Sequence, residues 1–398
     1  MVEEKTLLES CGGTIKALAL SGIRSEYDLF YPLLKALNED ACFDLGVIAE
    51  SAHLSPLHNY SFNQMKKDGF RIAEEIENLL YSNTESGKVK SAGILLQSLA
   101  QTFRREKPDL VLIIGDREDP IIGALAANYM NIPTVHIAGG DNTFPKGGDV
   151  DEQVRHATTK LSHVHLTMTE EHSRRVLKLG EESWRVFTVG SGGIDWIRMA
   201  GDLDLREVEE VLGVAVNNDY MIVLYNALSS EIDKAVDELS LCLEVAAETG
   251  LEVFVGAPNS DPGFHDIITL FKRYESLPKF HVYNYLPRRI FTRLLSHAKC
   301  ILGNSSLAMH EAEFIGLPAV NVGQRQWGRL AGNQVQFVHA DFESVMGAVN
   351  KALHDKEYKK SITRGKSIYG DGTMAKRSLE ILKSLPSKEK LLAKRITY

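Results

Sequence analysis

The sequence predicts an α/β protein made of two doubly wound parallel sheets, and two observations carry that expectation. Short apolar runs of strand length, closed by Gly, Asp, Asn or Ser, alternate with longer stretches of helical period almost from end to end. These runs fall into two sets, and a chain of 398 residues is about twice the size of a typical single domain.

In chain order the first set is "TIKALALSG", "CFDLGVIAE", "DLVLIIGD", "PTVHIAGG", "HVHLTM" and "RVFTVGS". The second is "YMIVLYN", "LEVFVGAP", "KFHVYNYL", "AKCILGNSS", "PAVNVGQ" and "VQFV". Between them, "RMAGDLDLREVEEVLGVAVNND" supplies a charged helix and an Asn-Asn-Asp turn that interrupt the strand rhythm. From Asp341 the tail reads as helices, "DFESVMGAVNKALH" and "MAKRSLEILKSL", with the turn "YGDG" between them. No internal repeat or low-complexity segment is visible.

Composition narrows the function. Hydrophobic residues at 44% and charged residues at 25% suit a soluble globular protein with sizeable cores. The net charge of -8 argues against a nucleic-acid partner, which needs a basic face. Cys11, Cys42, Cys242 and Cys300 are far apart with no CxxC pairing, so neither a disulfide framework nor a zinc site is expected. No apolar run approaches the roughly 20 residues of a membrane span, and 1–13 is acidic where a signal peptide is basic. A cytoplasmic protein with a small-molecule ligand is the expectation.

Open α/β sheets bind ligands outside the carboxyl ends of their strands, and with two sheets the expected site is the cleft between them. The strand tips are therefore where chemistry should lie. In "SGIRSEYDL", a glycine turn, Arg24 and a helix start form a potential anion site, although Arg24 could equally be a surface residue. In "LIIGDREDP", Asp116 and Arg117 open a run of four charges after an apolar strand. Asp116 is either a site carboxylate or the cap of the next helix.

The glycine-rich loop "HIAGGDNTFPKGGDVDEQVRHATTK" contains Asp141 and leads into a helix where Glu152, Arg155 and His156 share one face. That face is a site or a solvated salt-bridge stripe. In "ILGNSSLAMHEAEFIGLPAVNVG", the turn amides with Ser305 and Ser306 sit where a diphosphate would be held. Glu311, two turns on, could accept from a ribose. "GQRQWGR" adds Arg325 and Arg329. His163 and His165 read as packing or surface residues, and no His/Cys/carboxylate spacing suggests a metal.

Taken together these motifs resemble the UDP-N-acetylglucosamine 2-epimerase family, and within it the hydrolysing branch that forms N-acetylmannosamine for sialic acid synthesis. The resemblance runs from Lys16 to about Leu385 and rests on "SGIRSEYD", "GDR", "DEQVRHATTKLSHVHL", "APNSDPG", "GNSSLAMHEA" and "GQRQWGR". It implies a GT-B type fold of two Rossmann-like domains: 14–200 on the sugar side, 201–370 on the nucleotide side, 1–13 an N-terminal extension, and 371–398 a helix returning to the first domain.

It also implies that Ser305, Ser306 and Glu311, with Arg24, Arg325 and Gln326, hold the nucleotide. Asn226, Asn259 and Asp261 would contact substrate, and Asp116, Arg117, Glu152 and Arg155 would surround the sugar. The implied partner is a UDP-sugar, UDP-N-acetylglucosamine, in a homodimer or homotetramer, with no metal or redox cofactor. One group removes the C2 proton, another assists departure of UDP, and water then adds at C1.

The chain departs from the branch at two tips. Where H-P-V-T is usual it reads Asn226-Ala227-Leu228-Ser229, and where H-I-E-G-G-E is usual it reads His136-Ile137-Ala138-Gly139-Gly140-Asp141. Neither Asn nor Ala moves a proton, so Asp141, Asp119 or Glu118 would have to take over. Three readings follow: a divergent epimerase, a related enzyme on another sugar nucleotide, and a sugar-nucleotide binding protein without turnover. A GT-B glycosyltransferase is a further alternative on architecture.

Overall fold

The computed structural model describes residues 5–56, 60–80, 82, 84–145, 148, 150–201, 204–216, 219–257, 264–284 and 286–398. The chain forms two compact units. One comprises Met1–Asp141, Val150–Asp195 and Gly372–Tyr398; the other comprises Asn142–Asp149 and Trp196–Asp371.

The first unit is built on β1 (Ile15–Ser21), β2 (Phe43–Glu50), β3 (Ile72–Ile76), β4 (Leu110–Ile114), β5 (Thr134–Ile137), β6 (Val164–Thr167) and β7 (Val186–Thr188). They pair in parallel in the order β3-β2-β1-β4-β5-β6-β7. The strands are apolar without alternation because both faces are covered. Along β1 and β4, Ala17, Ala19, Leu112 and Ile114 enter one core, and Leu18, Leu20, Val111 and Ile113 the other.

The second unit carries β8 (Tyr220–Leu224), β9 (Glu252–Gly256), β10 (Phe280–Tyr283), β11 (Ile301–Gly303), β12 (Ala319–Val322) and β13 (Val335–Val338). These are also parallel, in the order β10-β9-β8-β11-β12-β13. In each sheet the strand order reverses once, at β1/β4 and at β8/β11, and such switch points open the crevices where this architecture places ligands. All twelve apolar runs read from the sequence are strands. The thirteenth, β3, was not anticipated: it lies at a sheet edge, half-exposed, and its Glu74 pairs with Arg105 at 2.6 Å, so it needs no apolar run.

The chain's two ends close the first unit. The helix Met374–Lys383 packs on the helix Arg24–Glu39, and its first amides, of Met374 and Ala375, donate to Asp195 at 3.0 and 2.8 Å. The fully buried Arg185 donates to the carbonyls of His163 (3.1 Å), Leu391 (2.8 Å), Lys390 (3.3 Å) and Ala393 (3.3 Å). Near the start of the chain Leu7 is buried, and its amide donates to Leu385 at 2.8 Å. Among the described residues no helix is long and apolar enough to cross a membrane.

Candidate active site

At the carboxyl end of the first sheet, the turn after β4 and the helix Val150–Leu161 bring three of the expected residues together. Arg155, with 3% of its side chain exposed, pairs with both Asp116 and Glu152. Its Nη1 also donates to the Asp141 carbonyl at 3.4 Å. Burial alone would pull the guanidinium's pKa down, but Asp116, Asp141 and Glu152 raise it, so Arg155 stays charged and two carboxylates share it. His156, one turn from Glu152, hydrogen-bonds to it at 2.9 Å.

This face is therefore not a solvated stripe: its cation is buried and reaches across to β4. Nor does Asp116 cap the following helix Glu118–Tyr129, whose N-cap is Arg117. The tip of β5 is strained, with Ala138 at φ +66°, in the left-handed region that Ala adopts only at a cost. Asp141 is buried, its Oδ1 3.4 Å from His172 Nε2. His136 is locked against the Gly115 carbonyl at 2.8 Å, and burial lowers its pKa to about 4, so it is neutral. Arg24 stands at the start of its helix with Nε 3.5 Å from Asp28.

The second unit's tips are organised by amides. The Asn304 side chain accepts from the Asn226 amide at 2.8 Å and donates to the Asn226 carbonyl at 2.9 Å, clamping the end of β8 to that of β11. The Asn304 carbonyl accepts from Arg325 (3.1 Å) and from the buried Gln326 (2.9 Å), whose own side-chain oxygen accepts from Arg329 at 2.8 Å. Ser305 Oγ accepts from the Leu307 amide at 3.4 Å, and Ser306 precedes the short helix Leu307–His310. Glu311 is buried and ion-paired to Arg288. Asn259 and Asp261 lie outside the described residues.

Sequence reasoning did not single out Asn304, Arg288, His172, Glu26 or Glu50. Two of these carry a signal in hindsight. Arg288 belongs to a basic pair directly after an apolar strand, and Glu50 is a charge closing the run "CFDLGVIAE". Among the described residues no group of three or more His, Cys, Asp or Glu could hold a metal ion.

Two parallel-sheet α/β units of this topology define a protein of the GT-B fold class. The chain belongs to the UDP-N-acetylglucosamine 2-epimerase family, whose model matches residues 35–383. It is 32% identical over 384 residues to UDP-N,N'-diacetylbacillosamine 2-epimerase (hydrolyzing) of Legionella pneumophila, covering 96% of this chain and 99% of that protein. It is 29% identical to GDP/UDP-N,N'-diacetylbacillosamine 2-epimerase (hydrolyzing) of Campylobacter jejuni, over 87% of this chain and 89% of that one. Its fold matches the UDP-GlcNAc 2-epimerase of Neisseria meningitidis, crystallised with UDP-GlcNAc, with a TM-score of 0.80 at 20% identity, covering 92% of this chain and 99% of that one.

Proposed function

We propose that the protein is a hydrolysing 2-epimerase of a UDP-linked 2-acetamido sugar, releasing UDP and the free sugar inverted at C2. The observation that carries this reading is the pair of carboxylates, Asp116 and Glu152, sharing the buried Arg155. One carboxylate takes the C2 proton; the C1–O bond breaks with its electron pair leaving on UDP, and a 2-acetamidoglucal forms. Water then adds at C1 while a proton enters C2 from the opposite face, so that sugar nucleotide plus water gives UDP plus epimer.

Asp116 has the more open side chain, 31% against 18% for Glu152, and is assigned the C2 proton. Glu152 returns a proton, with His156, 37% exposed, linking it to solvent. Asp141, held by His172, is the third carboxyl of the site. Arg24 and Arg117 meet charge developing on the leaving diphosphate. Ser305, Ser306, Glu311, Arg325 and Gln326 are assigned to the nucleotide, and Asn226 to the sugar.

The family reaction on UDP-N-acetylglucosamine would give N-acetylmannosamine. The Legionella and Campylobacter relatives instead favour a diacetamido sugar. Ala138 and Asn226 suit that reading: a second acetamido group needs room and an amide partner more than another acid. Proton NMR in deuterated water with each sugar nucleotide decides between them. Free UDP with a C2-deuterated epimer from one substrate identifies it. Binding without release from either marks a sugar-nucleotide binding protein.

A further inference from the structure

The switch point of the first sheet holds a group that the proposed reaction does not use. Three carboxyls converge there from different elements: Glu26 in the first turn of the helix Arg24–Glu39, Asp119 in the first turn of Glu118–Tyr129, and Glu50 at the end of β2. Their relative exposures are 8%, 4% and 0%. A Cβ on Gly22, just after β1, would lie 2.3 Å from Asp119 Oδ2 and 2.4 Å from Glu50 Oε1; one on Gly115, just after β4, would lie 2.5 Å from Glu26 Oε1. Glycine at both turns is what lets the carboxyls occupy the crevice.

An independent observation comes from Glu50, which enters from a separate strand. Both of its oxygens are buried without a hydrogen-bond partner, as are Glu26 Oε1 and Asp119 Oδ1. Buried acceptors left unsatisfied are costly. Glu50 and Asp119 lie within reach of one another, and two carboxyls form a hydrogen bond only when one carries a proton. A proton held between the two carboxyls is what satisfies them.

The surrounding charges leave that conclusion in place. Arg117 faces Glu26 and Asp119 and favours their ionisation, but Asp116 and Glu118 oppose it, and Asn78 is the only further polar group turned to Glu50 among the leading influences on it. His53 nearby is buried and neutral, bonded to Ser21 at 3.0 Å and Ser61 at 2.7 Å. Burial, then the neighbouring acids, raise Glu26 and Glu50 well above the carboxylate range. Burial, then Glu118, push Asp119 up to about 7.

We propose that Glu26, Glu50 and Asp119 are positioning residues that hold protons beneath the Gly115–Arg117 turn, and that loss of those protons sets the alkaline limit of the reaction. This deepens, and rests on, the reading of the site as a hydrolysing 2-epimerase. The coupling runs through charge. Protonated, the trio adds no field beside Asp116 and its partner Arg155. Deprotonated, it places buried negative charge under the turn that must meet a dianionic nucleotide sugar and a departing diphosphate.

The test is the pH profile of UDP release, kcat/KM, for the full chain and for Asp119→Asn and Glu50→Gln, whose amides keep the shape without ionising. Wild type is expected to lose roughly tenfold per pH unit above about pH 7, and the variants, whatever their maximal rate, to carry that fall at least one pH unit higher. A purely structural role would lower the rate without moving the limb, so profiles parallel to wild type in both variants overturn the proposal. Infrared spectroscopy reads the protons directly. A protonated-carboxyl band at neutral pH, weakened in each variant by the carboxyl removed, is expected; its absence in wild type overturns the proposal. Should wild type release no UDP from either sugar nucleotide, the functional reading and the alkaline limit resting on it fall together, while the band still decides whether the protons are held.

Discussion

The strand tips of the two sheets are chemically unlike. In the first unit they carry ionisable groups: Asp116 and Glu152 on Arg155, Asp141 beside His172, and the buried trio of Glu26, Glu50 and Asp119. In the second, amides stand out, with Asn304 tying Asn226, Arg325 and Gln326 together, beside the ion pair of Arg288 and Glu311 and a carboxyl, Glu238, bonded to Tyr225. Proton transfer needs groups that change charge, whereas holding a ligand needs donors and acceptors that do not. On the proposed reading the two kinds of work fall to different units, and position 226 can be Asn without emptying the chain of acid/base groups.

The comparison breaks most readily at Arg155. Arg155→Met leaves Asp116 and Glu152 without their shared cation, and because those carboxylates are 31% and 18% exposed the loss is about 1–3 kcal/mol. Urea denaturation should show that loss, with UDP release down at least ~100-fold; a loss under about 1 kcal/mol would mean that the cation is not what gathers these acids. Asn304→Ala should act on the other side of the comparison. It removes both bonds to the Asn226 backbone at a cost of about 1–3 kcal/mol. Calorimetry should find UDP binding weakened about tenfold or more while the alkaline limb of the pH profile stays where it was. A shifted limb would blur the division of labour.

The smallest effect is expected at Ala138. Glycine there relieves the left-handed backbone but frees the unfolded chain, for a net gain of about 0.5 kcal/mol. A thermal melt of Ala138→Gly should rise by a degree or two, and a fall would show that the φ of +66° carries no strain.

Much of this was legible in the sequence, for identifiable reasons. Strands covered on both faces must be apolar throughout, so twelve were readable; edge strand β3, with Glu74 and Glu75 in it, was not. Arg155 and Glu152 could be placed on one helical face by spacing alone. Their meeting with Asp116, 39 residues from Arg155, could be expected only from the family resemblance. The carboxyl trio joins residues 26, 50 and 119, and nothing local in the sequence says that three acids on three elements point inward to one crevice. Asn304 stood inside a motif already quoted, yet its work is done by contacts 78 residues away.

The return of the chain's last residues to the first unit has a consequence for the order of events during synthesis. The second unit draws nearly all its residues from the continuous stretch Trp196–Asp371, whereas Arg185 and Asp195 wait for partners at Met374, Ala375 and Lys390 to Ala393. Domains usually fold in the order they emerge from the ribosome. Here the half made first is completed last. Until residues 374–393 have been made, Arg185 lacks the carbonyls of Lys390, Leu391 and Ala393, and Asp195 lacks the amides of Met374 and Ala375.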